Sequence, residues 1–280
     1  MSQFIKKICT FIDIARPSNV LIAFLTIFIA AAVARGPILN QDVFFAAIST
    51  ALITIGANVI NDIFDVAIDR INKPTRPLPA EKLTRSEALA FFILVYLLSW
   101  IFAVLINGTM FLVAFSVSIL LILYSAKFKR TILFGNFIVS FTTALAFVYG
   151  GLAVGRIRAT LFPAAFAFLF HFGREIIKDM QDVAGDQNAG AITFAVKYGH
   201  RASFLLTLLV FLLLIIVTLL PYILDMYNIF YLLVIVVGIY PVLALVLYVA
   251  WRAPEPDKLG KVSMLLKADM LVGLVAIYFG

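Results

Sequence analysis

Long apolar runs constrain this chain more than any other feature of its sequence. Runs of about 20 apolar residues, enough to cross a bilayer as a helix, recur along the whole chain. Hydrophobic residues make up 64% of the 280 residues and charged residues only 13%, whereas soluble domains have about half and a quarter. We predict nine spanning helices, at residues 18–36, 42–61, 87–106, 109–126, 131–153, 159–178, 201–222, 228–251 and 263–279.

These spans predict an all-α, polytopic membrane helical bundle that forms one membrane-embedded domain over residues 1–280. The single cysteine, Cys9, excludes an intramolecular disulfide framework and a thiolate metal cluster. The net charge of +7 is compatible with nucleic-acid binding, but the basic residues flank the spans, which favours contact with membrane lipid. We therefore predict no nucleic-acid partner and no obligate protein partner.

The distribution of basic residues predicts the orientation in the cell (cytoplasmic) membrane. Most of the 22 Lys and Arg residues precede the first span or follow the second, fourth, sixth and eighth spans. The opposite side carries only Arg35, Arg156 and Arg158, and Lys267 lies inside the ninth span. By the positive-inside rule, the N-terminus and the loops after the even-numbered spans are cytoplasmic, and the C-terminus lies outside.

A first acidic cluster follows the second span. Asn61, Asp65 and Asp69 are spaced by four residues, and Asp62 adds another carboxylate. If the helix continues, the first three side chains lie on one face. Carboxylates this close repel one another unless a cation lies between them, and acidic groups beside lipid indicate function. The alternative is that these residues form a solvated loop between two spans. A second acidic cluster in a matching position makes that interpretation less favoured.

The second acidic cluster follows the sixth span. Glu175, Asp179, Asp182 and Asp186 are spaced by four, three and four residues, which predicts one stripe of a helix. This position matches that of the first cluster.

A constant offset relates the two clusters. Asn61 and Asp182 are 121 residues apart, and so are Asp65 and Asp186. The offset predicts two similar four-helix halves, plus one further helix, that meet at one site. Opposed carboxylates suit two Mg²⁺ ions that take their remaining ligands from water and the diphosphate they bridge. The predicted metal ligands are Asn61, Asp62, Asp65, Asp69, Asp182 and Asp186.

Basic residues near the clusters are candidates for balancing the diphosphate charge. Lys127 lies at a span end from which it can reach inward, and Tyr124 lies one turn before it, whereas Lys129 is predicted to be an orientation charge. The predicted catalytic residues are Asp65, Asp69, Asp182, Asp186, Lys127 and Tyr124. The predicted substrate-binding residues are Arg16, Asn19, Lys73, Arg76, Arg130, Arg174 and Lys178.

Arg16 is the candidate for binding the second substrate. It stands at the mouth of the first span, with Asn19 one turn further in, and neither has an acidic partner nearby in sequence. A cation without a partner in this setting is expensive, so we predict that Arg16 binds an anionic group of the acceptor. His171, near the end of the sixth span, is predicted to make a helix–helix hydrogen bond.

These motifs resemble those of the UbiA-type superfamily of membrane prenyltransferases. Asn61, Asp65 and Asp69 match its first motif, and Asp182 and Asp186 match its second. The matches continue with Lys73 to Pro77, Tyr124, Lys127, Gly190 and Thr193.

Within the superfamily, residues 14–19 and 174–186 are most similar to digeranylgeranylglyceryl phosphate synthases. The resemblance implies transfer of a geranylgeranyl group from its diphosphate to geranylgeranylglyceryl phosphate, giving the second ether bond of archaeal-type lipids. Two alternatives are an aromatic prenyltransferase of quinone biosynthesis, acting on 4-hydroxybenzoate or a naphthoate, and a cation-coupled transporter. A non-catalytic scaffold gives no reason for two matched acidic motifs.

Overall fold

The chain folds into a helical bundle in a computed structural model that describes residues 3–252 and 254–280. Within these ranges the chain forms helices and no strand, which confirms the predicted all-α class. Three of the helical segments are short and of another type than α: the 3-10 turns Phe128–Arg130 and Ile157–Thr160 and the π-helical turn Ile235–Ile239. The α-helices are α1 (Gln3–Ala15), α2 (Pro17–Val33), α3 (Gln41–Asn72), α4 (Arg85–Ile106), α5 (Gly108–Ala126), α6 (Phe134–Ala153), α7 (Leu161–Gln181), α8 (Val183–Asn188), α9 (Phe194–Ile223), α10 (Ile229–Val234), α11 (Tyr240–Arg252) and α12 (Pro256–Phe279).

The helix lengths agree with the predicted spans. Among the described residues, eight helical segments are long and apolar enough to cross a membrane, with α10, the π-helical turn and α11 forming one of them. α1 and α2 make a ninth if they count as one span, although they are bent by 57° where they meet. Large apolar side chains such as Leu94, Leu209 and Val237 are exposed on the outside, as expected for a surface in contact with lipid.

The packing order of the helices repeats in the two halves of the chain. In the first half α2 packs on α3, α3 on α4, and α4 on α5. In the second half α6 packs on α7, α7 on α9, and α9 on α11. The halves meet where α2 contacts α6, and α12 packs against α2, α7 and α11. This order corresponds to the predicted two four-helix halves plus one helix.

The length of α3 positions the first acidic cluster. Asn40 caps the helix by accepting a hydrogen bond from the backbone N–H of Asp42. The helix has 32 residues, so it is about 48 Å long at 1.5 Å per residue, well beyond the ~30 Å of hydrocarbon. Its last third carries the cluster, and the helix therefore continues through Asn61, Asp65 and Asp69 as expected.

The second acidic cluster departs from the prediction of one continuous helix. α7 ends at Gln181, Asp182 lies at the bend, and α8 carries Asp186. The stripe of four acids is therefore divided between two helices. Two physical causes favour the break. Carboxylates near a helix C-terminus oppose the helix dipole, and Gly185 weakens continuation of the helix.

A glycine allows close packing of each motif-bearing helix. A Cβ at Gly56 of α3 would lie 2.1 Å from the ring of Tyr96 on α4. A Cβ at Gly173 of α7 would lie 2.2 Å from the ring of Phe211 on α9. In both halves an aromatic ring of the following helix thus packs directly on the backbone of the helix that carries the acids.

Candidate active site

The two acidic clusters face one cavity of about 620 Å³. Its walls come from α2, α3, α5, α6, α7 and α12, and α8 with the loop after it completes the rim. The cavity brings together most of the residues predicted for the site. Those lining it are Arg16, Asn19, Asn61, Asp65, Asp69, Lys73, Arg76, Tyr124, Arg130, Arg174, Lys178, Asp182 and Asp186.

Asp65 sits at the centre of the first cluster's hydrogen bonds. Its Oδ2 accepts a hydrogen bond from Asn61 Nδ2 at 2.8 Å. The same oxygen is ion-paired with the ammonium of Lys129, which also donates to Asn61 Oδ1 at 3.3 Å. Asp65 is only 3% exposed, so this base compensates a carboxylate that has lost most of its water.

Asp62, which the sequence predicted as a metal ligand, lies apart from the other acids of its cluster. It does not line the cavity and is 2% exposed, in ion pairs with Arg16 and Arg76. Arg76 Nη1 lies 3.1 Å from Asp62 Oδ1 and donates to Asp69 Oδ2 at 2.5 Å. Asp62 lies one residue after Asn61, so the helix turns its side chain away from the cavity face. Asp62 therefore ties the start of α2 to the loop after α3.

Arg16 does have an acidic partner, contrary to the sequence-based expectation. Its guanidinium is ion-paired with Asp62, 46 residues away in the chain. Arg16 lies at the bend between α1 and α2, with a left-handed backbone (φ 55°). Asn19 Nδ2 donates to Asn58 Oδ1 at 3.3 Å, and Asn58 Nδ2 donates to the Ala15 carbonyl at 2.9 Å. Arg16 and Asn19 line the cavity, but the premise that Arg16 is unpaired was wrong.

Lys129, and not Lys127, reaches the cavity from the end of α5. Lys127 is exposed at the C-cap of the helix and does not line the cavity. The 3-10 turn Phe128–Arg130 reverses the chain and directs Lys129 toward Asp65. A Cβ at Gly135 would lie 2.7 Å from the Phe128 carbonyl oxygen, so this glycine lets the turn pack closely on α6. Spacing from Tyr124 alone could not show which lysine points inward.

The second cluster has a different set of partners. Glu175 is buried, and its two carboxylate oxygens accept hydrogen bonds from Lys178 Nζ at 2.8 and 2.9 Å. Arg174 Nη1 lies 3.3 Å from Glu175 Oε1. Asp179 accepts one from Asn136 Nδ2 at 2.8 Å. Sequence analysis did not assign Asn136 to the site, because no local pattern links it to an acid 43 residues away.

The two acids beyond α7 are less fully neutralised. Asp182 Oδ2 lies 3.9 Å from Lys73 Nζ, at the limit of an ion pair. Burial lowers the pKa of Lys73, whereas Asp182 opposes that shift. Burial, reinforced by the nearby Asp182 charge, raises the pKa of Asp186 to about 6. The raised pKa shows that positive charge near Asp186 is favourable, which is the electrostatic environment in which a cation binds.

The donors that line the cavity fit magnesium in chemical type. Asn61, Asp65, Asp69, Asp182 and Asp186 offer hard oxygen ligands. Among the described residues, no three His, Cys, Asp or Glu side chains converge to form a complete metal cage. Magnesium binds few protein carboxylates and takes its other oxygens from water and phosphate.

Comparisons with known proteins agree with these features. The model of the UbiA prenyltransferase family matches residues 22–266. The chain belongs to this family. It is therefore a multi-pass membrane protein and a prenyl-transferring enzyme, as the motifs predicted.

Three similar proteins each cover almost the whole chain. The digeranylgeranylglyceryl phosphate synthase of Methanocaldococcus jannaschii is 33% identical, covering 100% of this chain and 99% of that protein. A solved structure described as a digeranylgeranylglyceryl phosphate synthase in membranes has a TM-score of 0.76 at 30% identity, covering 98% of both chains. A UbiA homologue from Archaeoglobus fulgidus bound to DMAPP and Mg²⁺ has a TM-score of 0.64 at 20% identity, covering 95% of this chain and 99% of that one, so it supports the fold.

Proposed function

We propose that this chain transfers a geranylgeranyl group from geranylgeranyl diphosphate to the free hydroxyl of geranylgeranylglyceryl phosphate. The observation that carries the proposal is the pairing of two acidic motifs across one cavity, in a chain similar over its full length to a digeranylgeranylglyceryl phosphate synthase. The product has the second ether bond of an archaeal-type lipid. An aromatic acceptor is not favoured, because the full-length relatives are named for a glyceryl phosphate product.

Magnesium, when bound, neutralises the diphosphate oxygens and so assists cleavage of the allylic C–O bond. We assign its binding to Asn61, Asp65, Asp69, Asp182 and Asp186, which line the cavity from both halves. The Archaeoglobus fulgidus homologue bound to DMAPP and Mg²⁺ supports the pairing of this ion with a prenyl diphosphate in the fold.

Basic residues beside the carboxylates bind the leaving diphosphate in this proposal. Lys129, Arg76 and Lys73 line the cavity and each already contacts an acid of the two clusters. Their charges stabilise the negative charge that develops on the diphosphate as the C–O bond breaks and its electron pair departs. Tyr124 lines the same cavity, and we assign it to the same site.

The apolar walls protect the allylic cation. Part of the cavity lining is aliphatic. An apolar wall excludes water, which would otherwise capture the cation. The acceptor hydroxyl oxygen then forms the new C–O bond and loses its proton to the departed diphosphate. The aliphatic part of the lining includes Ile22, Ile53, Val113, Val117, Leu121, Val139 and Leu145.

The proposed orientation places this cavity on the cytoplasmic side of the cytoplasmic membrane. The basic residues flanking the spans support it, since they concentrate at the ends that carry both acidic clusters. The N-terminus is then cytoplasmic and the C-terminus outside, and the whole chain acts as one membrane-embedded domain. Cysteines introduced at Arg76 and Arg156 in a Cys9→Ser background test this. Labelling of position 76 from outside intact cells would contradict it.

Purified protein in detergent tests the reaction directly. It is incubated with magnesium, a panel of prenyl diphosphates and two acceptors, geranylgeranylglyceryl phosphate and 4-hydroxybenzoate, and products are read by mass spectrometry. We expect a product only with the glyceryl phosphate acceptor and with geranylgeranyl diphosphate as the best donor. Exhaustive chelation should abolish turnover. Full turnover without divalent metal, or prenylation of 4-hydroxybenzoate alone, would overturn the proposal.

A further inference from the structure

Lys267 is a charged residue within a membrane span, and it forms no ion pair with the acids that the structure describes. It lies eleven residues after the first residue of α12, Pro256, which corresponds to about 16 Å along the helix. Its Nζ donates to Ser18 Oγ on α2 at 2.6 Å. In the part of the chain that the structure describes, no carboxylate forms an ion pair with it. Charged side chains inside a membrane are costly and usually have a functional partner.

The surroundings of Lys267 are rich in positive charge. Lys267, Arg174 and Lys178 all line the same cavity. Arg174 and Lys178 share a single carboxylate, that of Glu175. Among the ion pairs of the described residues, these three cations share one acid, so Lys267 has no carboxylate of its own.

The cavity reaches the outer surface of the bundle beside Lys267. Met264, one turn earlier on α12, lines the cavity and is 73% exposed. Ser18, the hydroxyl partner on α2, is also exposed. Lys267 therefore lies where the cavity lining meets the exposed surfaces of α2 and α12.

We propose that Lys267, together with Arg174, binds the phosphate of the lipid acceptor and so determines specificity for a phosphorylated acceptor. This assignment rests on the proposed function. Arg174 uses its Nε on the Ser263 carbonyl and one Nη1 contact on Glu175, which leaves further N–H donors for an anion. A single phosphate needs no metal bridge when two cations and the Ser18 hydroxyl face it. In this proposal the diphosphate binds elsewhere in the cavity, to magnesium and to Lys129, Arg76 and Lys73.

The test compares acceptors with and without the phosphate. The variants are Lys267→Met, Lys267→Arg and the matched control Lys261→Met, whose lysine is exposed on the same helix and outside the cavity. The acceptors are geranylgeranylglyceryl phosphate and geranylgeranylglycerol, and KM is measured for each acceptor and for the donor.

We expect Lys267→Met to raise KM for the phosphorylated acceptor by about ten- to a hundredfold, the effect of losing a charge-assisted hydrogen bond. The kcat, the donor KM and the KM for geranylgeranylglycerol should stay within about twofold, since only contacts to the phosphate are lost. Lys267→Arg should restore most of the loss, and Lys261→Met should behave as wild type. The assignment would be overturned if Lys267→Met kept the wild-type ratio of KM values for the two acceptors, or if the donor KM rose instead.

A measurement on the wild-type protein keeps the test independent of variant folding. Lysine acylation by an amine-reactive reagent is followed by mass spectrometry, with Lys261 as the internal reference. Geranylgeranylglyceryl phosphate should protect Lys267, whereas geranylgeranylglycerol should not. Equal protection by both lipids, or by neither, would count against the proposal. If wild type does not prenylate geranylgeranylglyceryl phosphate at all, the proposed function fails, whereas turnover without selective protection refutes only the role of Lys267.

Discussion

The two acidic clusters line one cavity but are built differently. α3 runs through the first cluster without a break, so Asp65 and Asp69 keep helical spacing and both are 3% exposed. α7 ends before Asp182, so the second cluster is divided between α7 and α8. The side chain of Asp182 keeps 28% of its surface exposed. The first cluster is thus fixed by a helix, and the second is positioned by a bend in the chain.

The clusters also differ in how their charges are balanced. Asp65 and Asp69 each contact a base directly. Asp186 forms no ion pair within the described ranges, and its pKa is raised to about 6 by burial and by Asp182. The two metal-motif acids of the first cluster are therefore already paired with bases, whereas Asp186 of the second cluster is not.

The largest expected effect comes from removing one carboxylate from either cluster. Asp65→Asn and Asp186→Asn should each lower kcat at least hundredfold, because each removes a proposed metal ligand. Their stabilities should differ. Asp65→Asn leaves Lys129 without its counterion and lowers the melting temperature, whereas Asp186→Asn relieves repulsion with Asp182 and does not.

Steady-state kinetics and thermal melts in detergent check both expectations. Asp257→Asn, at an exposed acid in the first turn of α12, is the control and should change neither quantity. Equal loss of stability in the two variants would contradict the difference inferred between the clusters.

Asp62→Asn separates the structural acid from those that line the cavity. Removing one partner of a buried ion pair costs about 3–5 kcal/mol of unfolding free energy, and in this case two arginines, Arg16 and Arg76, lose their shared partner. We expect a large loss of stability at unchanged magnesium dependence, measured by denaturant unfolding in micelles and by a magnesium titration of activity. Asp13→Asn, on the exposed part of α1, is the matched control. A weakened apparent affinity for magnesium would place Asp62 in the metal site after all.

The two lysines at the end of α5 should differ in their effect on the donor. Lys129→Met is expected to lower kcat/KM for geranylgeranyl diphosphate by about ten- to a hundredfold, because a charge next to the leaving group is lost. Lys127→Met, at an exposed position, should have little effect. Kinetics with varied donor and saturating acceptor decide this. The reverse ranking of the two variants would make Lys127 the catalytic lysine, as its spacing from Tyr124 predicts.

The smallest expected effects test the equivalence of the halves. Gly56→Ala and Gly173→Ala each place a methyl against an aromatic ring and should cost about 1–3 kcal/mol of stability. Gly108→Ala, where a Cβ has nothing within 4 Å, should be neutral or slightly stabilising. Thermal melts of the three variants provide the comparison. A loss confined to one half would show that the two glycine contacts are not equivalent.

Local patterns in the sequence predicted most of the fold and the main acids of the site. Apolar runs indicated the number of spans, and spacing by four indicated the face of α3, because both depend only on near neighbours along the chain. The bend at Asp182 was missed, since the same spacing fits one helix or two. Whether Lys127 or Lys129 points inward depended on the turn that ends α5.

The basic partners of the acids could not be predicted from local sequence patterns. Asp62 is joined to Arg16 across 46 residues, Asp65 to Lys129 across 64, and these contacts depend on how distant helices pack. Lys267 was recognised as lying inside a span, but only the structure shows that Ser18 is its neighbour. Long-range charge pairing therefore distinguishes Asp62, which lies outside the cavity, from the acids that line it.

The ion pairs of Asp65 with Lys129 and of Asp69 with Arg76 bear on the order in which ligands bind. Lys129 and Arg76 lose their counterions when a cation binds these carboxylates alone, and the carboxylates repel a diphosphate that comes alone. When both ligands arrive as one complex, each base exchanges a carboxylate for a phosphate oxygen and no charge is left unmatched. Metal and diphosphate are therefore expected to bind with positive heterotropic cooperativity, each raising the affinity for the other by the same factor.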